Sequence, residues 1–334
     1  MNLDRDHVVL LFYQDIERDS FFPNDRYVKR LIRPIYHRFG KRQKVSGFLV
    51  WFQLLAKALR QQGYTVRVND YAFAHKHPTY PVGLVGYPQL LERWTLPNPA
   101  IIGPGFFDHP KNAPTLMDDS RFHFYIVTCD WMERMFKPFY GDRCVQWHAG
   151  MDVEAWSDTK GQSKSIDVLV YDKIRWNRER YEPELLDPIL QALDRRGLRH
   201  QTVRYGAYDH ATYKTLLEQS RSMLFLCEHE TQGMAYQEAL ASNVPVLAWD
   251  NGFWLDPRRP EWEPEPVPAS SVPYFSAECG ERFSTIAEFK HTLDTFWQRL
   301  HSYEPRRYVE RELSFARSAE LYMSYYRQLA EVYV

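Results

Sequence analysis

The order of elements along the chain predicts an α/β protein of two Rossmann-like, doubly wound domains facing a central cleft. Three observations carry this prediction. A strand, helix, glycine turn, strand unit occupies 8–68. A second series of alternating strands and helices begins at Ile166. Between the two arrays, 157–165 (Ser-Asp-Thr-Lys-Gly-Gln-Ser-Lys-Ser) is polar and lacks an apolar anchor, as a linker does. Strands joined through helices are parallel, and parallel sheets need helices on both faces.

The elements follow in order. Val8 to Tyr13 is a short buried strand behind Asp4, Arg5 and Asp6, too short an apolar run for a signal peptide. In 48–62 the residues Leu49, Phe52, Leu55, Ala56 and Leu59 recur at steps of three and four, which predicts an amphipathic helix. Gly63 closes it, and 64–68 is the next strand. Short buried strands are expected at 81–87, 99–103 and 122–128, a helix at 130–139, and a strand at 144–147. The second array reads as strand 166–171, helix 183–196, strand 201–205, helix 211–219, strand 222–227, helix 233–242 and strand 244–249. The Pro- and Glu-rich stretch 257–273 is expected to be an irregular loop. A final helix at 315–332 places Leu321, Tyr325 and Leu329 on one face.

Composition bounds the function. At about 150 residues per domain, 334 residues suggest two domains. An apolar fraction of 44% rules out a mostly disordered chain, and 15 glycines rule out a collagen-like one. The longest apolar runs fall well short of the roughly 18 residues of a membrane-spanning helix. A net charge of −1 gives no reason to expect nucleic-acid binding. Cys129, Cys144, Cys227 and Cys279 are far apart without a Cys-x-x-Cys pair, so they read as reduced thiols of a cytoplasmic protein. The many aromatics (22 Tyr, 20 Phe, 10 Trp) suit either large cores or clefts that stack sugars and bases.

Ligands of open parallel sheets bind beyond the carboxyl ends of the strands. The turn after 222–227 is therefore informative: Glu228, His229, Glu230, Thr231, Gln232 and Gly233, with a helix beginning at Met234. Gly233 lets backbone approach a ligand, and the free amides of a new helix suit a phosphate or a sugar oxygen. Glu230 and Glu238 are too far apart for a close acid–base pair. They suit a grip on two ends of one elongated ligand.

These residues carry a resemblance. Glu230-Thr231-Gln232-Gly233 followed by Glu238-Ala239-Leu240-Ala241-Ser242-Asn243-Val244-Pro245-Val246 resembles the Glu-x7-Glu motif of retaining GT-B glycosyltransferases, closest to glycosyltransferase family 4. Asn243 stands where that family usually has Gly. Gly47 and the following helix resemble its first-domain loop over the donor phosphates, which usually has two glycines. Gly150-Met151-Asp152-Val153-Glu154-Ala155-Trp156 resembles the segment that ends the first domain. The stretch 313–325 resembles the final helix that crosses back to it. The implied domains are 1–156 with 313–334, binding the acceptor, and 164–312, binding the donor.

The resemblance also implies roles. Glu238 binds the donor ribose, and Glu230 lies beside the transferred sugar. Lys173 and Arg178 hold the diphosphate, with both residue types exchanged relative to the family order and Arg175 as a competitor. Gln232, Gly233 and Met234 belong to the donor-binding helix start. His109 is the candidate first-domain histidine near the sugar, with His148 as runner-up. Tyr205 and Tyr208 are either base contacts or core and rim aromatics. An Asp-x-Asp metal signature is missing (Asp118 and Asp119 are adjacent), so neither metal nor cofactor is expected.

The expected partners are a nucleotide sugar, UDP- or GDP-linked, and a carbohydrate or lipid-linked acceptor. The stretch 26–44 holds eight basic residues among aromatic and aliphatic ones. It reads either as an acceptor or peripheral membrane-surface site or as a solvated insertion. Alternatives to transfer are a GT-B sugar-nucleotide epimerase or phosphorylase, and a non-catalytic nucleotide-sugar-binding subunit.

Overall fold

The computed structural model describes residues 7–14 and 47–333; the basic stretch 26–44 lies outside them. Among the described residues eleven strands form two sheets: β1 Val8–Gln14, β2 Thr65–Val68, β3 Val82–Gly86, β4 Ala100–Ile102, β5 Phe122–Val127 and β6 Cys144–Gln146 in one, β7 Ile166–Lys173, β8 His200–Arg204, β9 Ser220–Cys227, β10 Val246–Trp249 and β11 Gly280–Phe283 in the other. The principal helices are α1 Gly47–Gln61, α2 Asp130–Tyr140, α3 Asp187–Arg195, α4 His210–Gln219, α5 Met234–Ala241, α6 Ile286–Gln298 and α7 Phe315–Tyr333. None of the described helices is long and apolar enough to cross a membrane.

The chain divides into two compact units. One takes Met1–Val127, Phe139–Val145 and Ala319–Val334, the other Thr128–Pro138 and Gln146–Ser318. The first contains the sheet ordered β2-β1-β3-β4-β5-β6. Its inner strand β1 pairs in parallel with β2 and β3, and Val9 to Phe12 are fully buried, as a strand covered on both faces requires. Helix α1 packs Phe52, Leu55, Ala56 and Leu59 inward. The later turns of α7 belong to this unit: Tyr326 Oη accepts from the Leu10 amide (3.1 Å) and donates to the Pro81 carbonyl (2.6 Å). The final helix thus leaves the second unit and completes the first.

The second sheet runs β11-β10-β9-β7-β8, and every pairing in it is parallel. Residues alternate between two cores, as the pleat dictates. Leu169, Tyr171 and Phe225 face the apolar sides of α4 and α5. Val168, Val170, Leu224 and Leu226 face α3 and α6.

One stretch differs from expectation, whereas 257–273 is irregular as the sequence predicts. The polar segment 157–165 lies within the second unit, anchored through hydrogen bonds in place of apolar contacts. Thr159 is buried, and its amide (3.3 Å) and hydroxyl (2.7 Å) both donate to the Ser242 carbonyl just past α5. Lys164 Nζ donates to the Glu218 carbonyl (2.6 Å). Within 257–273 the chain makes a short turn at Arg259–Glu261, and Trp262 stacks on Trp254 (5.8 Å between centroids, planes 7° apart).

Candidate functional site

The site is built where β7 and β9 end side by side. Lys173 and Cys227 are register partners, so the loops that leave them emerge together at the carboxyl edge of the second sheet. Glu230 is fixed at both ends of its peptide: its amide donates to Ser270 O (2.9 Å), and its carbonyl accepts from Trp131 Nε1 (2.9 Å). Its carboxylate Oε1 is ion-paired with Lys173 Nζ, and the Cys227 thiol lies 3.5 Å from the same oxygen. The ammonium also lies 4.6 Å from the Tyr205 ring centroid. Burial works against the charge on Lys173, but Glu230 and Cys227 more than offset it and lift its pKa to about 12.

The second carboxylate follows from the helix start. Gly233 caps α5 with φ +80°, a left-handed conformation that glycine adopts without strain, and a Cβ there would collide with the Tyr236 ring. This places Met234 in the first turn, whose amides have no intrahelical partner. Glu238, one turn further, is mostly buried, and its Oε1 meets His210 Nε2 at 3.1 Å. Burial raises the Glu238 pKa against the opposing pull of His210, and the hydrogen bond to Glu238 raises that of His210. Two carboxylates, one held by a lysine and one by a histidine, thus flank the same helix start.

Of the two cation candidates after β7, Arg175 stays with this edge and Arg178 does not. Arg178 grips Asp172 with both terminal nitrogens (3.0 and 2.8 Å) and Glu182 with Nε (3.1 Å). Asp172 and Lys173 are neighbours in a strand, so their side chains point to opposite faces, and Arg178 follows Asp172. Its guanidinium neutralises a buried carboxylate, which corrects the expectation that it partners Lys173. Arg175 donates to the His229 carbonyl (3.1 Å), lies 3.6 Å from Glu228 and stacks 4.1 Å over Trp176. Glu228 Oε1 accepts the amides of Arg175 (2.7 Å) and Trp176 (2.8 Å), joining the two loops. His229 is buried and stacks on Trp176 at 5.3 Å. Burial, followed by the charges of Arg175 and Lys173, depresses its pKa to about 3.

Gln232 acts on the frame of the site. Its Oε1 accepts the Ala149 amide (3.0 Å), and its Nε2 donates to the Ala149 carbonyl (2.7 Å) and to Gln237 Oε1 (3.1 Å). With both ends of the amide engaged, its side chain clamps the chain beside Gly150, where direct donor contact was expected.

No protein-family model matches the sequence, and no curated protein matches it. Solved structures match by fold. A glycosyltransferase from Rickettsia africae superposes with a TM-score of 0.56 over 97% of this chain and 99% of its own, at 9% identity. The lipopolysaccharide outer core galactosyltransferase WaaB, in apo form, gives 0.52 over 95% and 98%, at 10% identity. A TarM mutant from S. aureus in complex with fondaparinux, alpha-GlcNAc-glycerol and UDP gives 0.50 over 76% of this chain and 57% of its own, at 9% identity. The fold is GT-B. The α/β class, the two Rossmann-like sheets and the returning helix α7 are as the sequence predicts.

In the first GT-B unit the candidates fare differently. His109 is fully buried, and its Nδ1 accepts the Lys111 amide (3.1 Å) to cap the turn Pro110–Asn112. The ring, expected beside the transferred sugar, is thereby engaged in capping its own loop. Gly47 begins α1, and an added Cβ there meets no described atom within 4 Å. His148, in the second unit, is buried beside Tyr274 (5.5 Å) with Nε2 unpartnered. Sequence reasoning missed His210 as the partner of Glu238. The available signal was its place directly after the β8 turn, on the same carboxyl edge as the Glu-bearing helix.

Proposed function

We propose that this chain is a retaining glycosyltransferase that takes a sugar from a UDP- or GDP-linked donor and passes it to a carbohydrate or lipid-linked acceptor. One observation supports this most: the Lys173–Glu230 pair and the His210-held Glu238 flank the Gly233 helix start on one sheet edge. That the fold neighbours are glycosyltransferases agrees with it, and the neighbour bound to UDP makes UDP-linked donors the first to test. Retention rests on the Glu-x7-Glu resemblance.

In this mechanism Glu238 accepts hydrogen bonds from the donor ribose. The diphosphate lies toward Lys173, Arg175 and the first amides of α5. When the bond between the sugar carbon and the diphosphate oxygen breaks, negative charge grows on the leaving group. Fixed cations and helix-end amides stabilise that charge, each contact contributing about 2–4 kcal/mol. Glu230, oriented by Lys173, lies beside the sugar and supports the positive charge that develops on it. Gln232 acts indirectly by holding Ala149, and the charge on the diphosphate is met by protein groups.

The test is transfer from a panel of UDP- and GDP-sugars to oligosaccharide and lipid-linked acceptors. The wild-type chain transfers, Glu230→Ala does not, and Glu238→Ala requires more donor. Wild-type turnover by both variants would overturn the assignment.

A further inference from the structure

Glu238 is held asymmetrically. Its Oε1 meets His210 Nε2 at 3.1 Å, while Oε2 takes part in no hydrogen bond among the described residues. Its side chain is 15% exposed, but the histidine that holds it is 68% exposed. The imidazole is itself placed from two sides. Asp209 caps α4 by accepting from the Thr212 amide (2.8 Å) and hydroxyl (2.9 Å), which fixes the turn from which His210 projects. The ring meets Trp156 edge-on at 5.4 Å. Tyr213 Oη donates to the Ala235 carbonyl (2.6 Å) and locks α4 against α5. An exposed histidine therefore presents a mostly buried carboxylate with one oxygen occupied and one available.

We propose that His210 is a positioning residue for the donor ribose: it orients Glu238 and leaves Oε2 to accept a hydrogen bond from a ribose hydroxyl. This rests on the assignment of Glu238 to the donor. It also makes nucleotide affinity depend on pH. The charged and titratable groups around the pair are Asp209 and Lys214 on the histidine's own element, Tyr208 before it, Tyr213 within α4, and Glu238 on α5. Trp156 contributes no charge. Burial disfavours the Glu238 carboxylate, and His210 opposes that effect. Without the histidine, the carboxyl takes up a proton at higher pH and loses an acceptor that the ribose needs.

The experiment is calorimetric titration of UDP and GDP into the wild type, His210→Ala and His210→Gln, over about pH 5 to 8. At neutral pH His210→Ala weakens binding by about tenfold, the scale of one charge-assisted hydrogen bond. Its acid-side loss of binding moves to higher pH. Glutamine restores most of the neutral-pH affinity because it still donates to Glu238, but without a positive charge it restores the acid-side limit only in part. A histidine that only supported folding would lower thermal stability and leave that limit in place, which would overturn the proposal. Wild-type affinity across the range in His210→Ala would overturn it too, while the donor site stood. If the alanine variant does not fold, His210→Gln decides by the acid-side limit alone. Failure of the wild type to bind either nucleotide would overturn the donor assignment and this proposal together.

Discussion

Lys173 Nζ and Glu230 Oε1 are ion-paired at the point where β7 and β9 end, with only 14% and 11% of the two side chains exposed. Removing one partner leaves a desolvated charge, so Lys173→Met should destabilise the chain by about 3 kcal/mol. The same change should slow transfer by about 100-fold, the effect of losing one preorganised charge contact. Lys173→Met/Glu230→Gln should recover part of the stability and none of the activity. Denaturant unfolding and single-turnover transfer on the three variants check this; full activity in the double variant contradicts it.

Gln232→Ala removes the clamp on Ala149. The amide and carbonyl of a buried residue then lose their partners, at about 1–3 kcal/mol each. Urea unfolding should show a loss of that size. Gln232→Glu, which puts an unpaired carboxylate at a fully buried position facing the Ala149 carbonyl and Gln237 Oε1, should lose at least as much as alanine.

Gly233→Ala forces a side chain into a left-handed conformation at about 1–2 kcal/mol and sets its Cβ against the Tyr236 ring. The start of α5 must shift, so donor affinity should fall along with stability. Nucleotide titration of a variant that remains folded checks this. Unchanged affinity would separate the helix start from the ligand.

Two buried imidazoles predict acid sensitivity. Burial depresses the His148 pKa to about 4 and that of His229 to about 3 from the usual 6.5. The unfolded chain therefore takes up protons that the folded chain refuses. Stability is complete above about pH 6.5 and declines as pH falls from there toward 3, with His148 alone accounting for about 3 kcal/mol. Urea midpoints at several pH values should decline less steeply for His148→Gln. An unchanged slope would rule out the histidine as a cause.

Much of the fold was legible in the sequence because apolar spacing is a local signal. The helix expected at 48–62 is Gly47–Gln61, and the strand expected at 222–227 is the inner part of Ser220–Cys227. Helix α6 lies outside the predicted elements although its N-cap Thr285 accepts from the Glu288 amide, ahead of Phe289, Leu293 and Phe296. Partner choice was not legible. Spacing from Lys173 points to Arg178, but strand alternation sends it after Asp172. His109 was selected by its place after a strand, but its ring turns back to cap the next turn. Gln232 was read as a ligand contact, but its amide matches a backbone segment 83 residues away. Such pairings are decided by which side chains meet in space, which periodicity does not encode.

The central claim is that the carboxyl edge of the second sheet binds a nucleotide sugar through Glu238, Lys173 and the start of α5. Titration of UDP and GDP against thermal unfolding tests it most directly. At 100 times its dissociation constant, the bound nucleotide should stabilise the wild type by about 2.7 kcal/mol. That stabilisation should be largely lost in Glu238→Ala and Lys173→Met. Equal stabilisation of the wild type and both variants, or none in any of them, would contradict the claim.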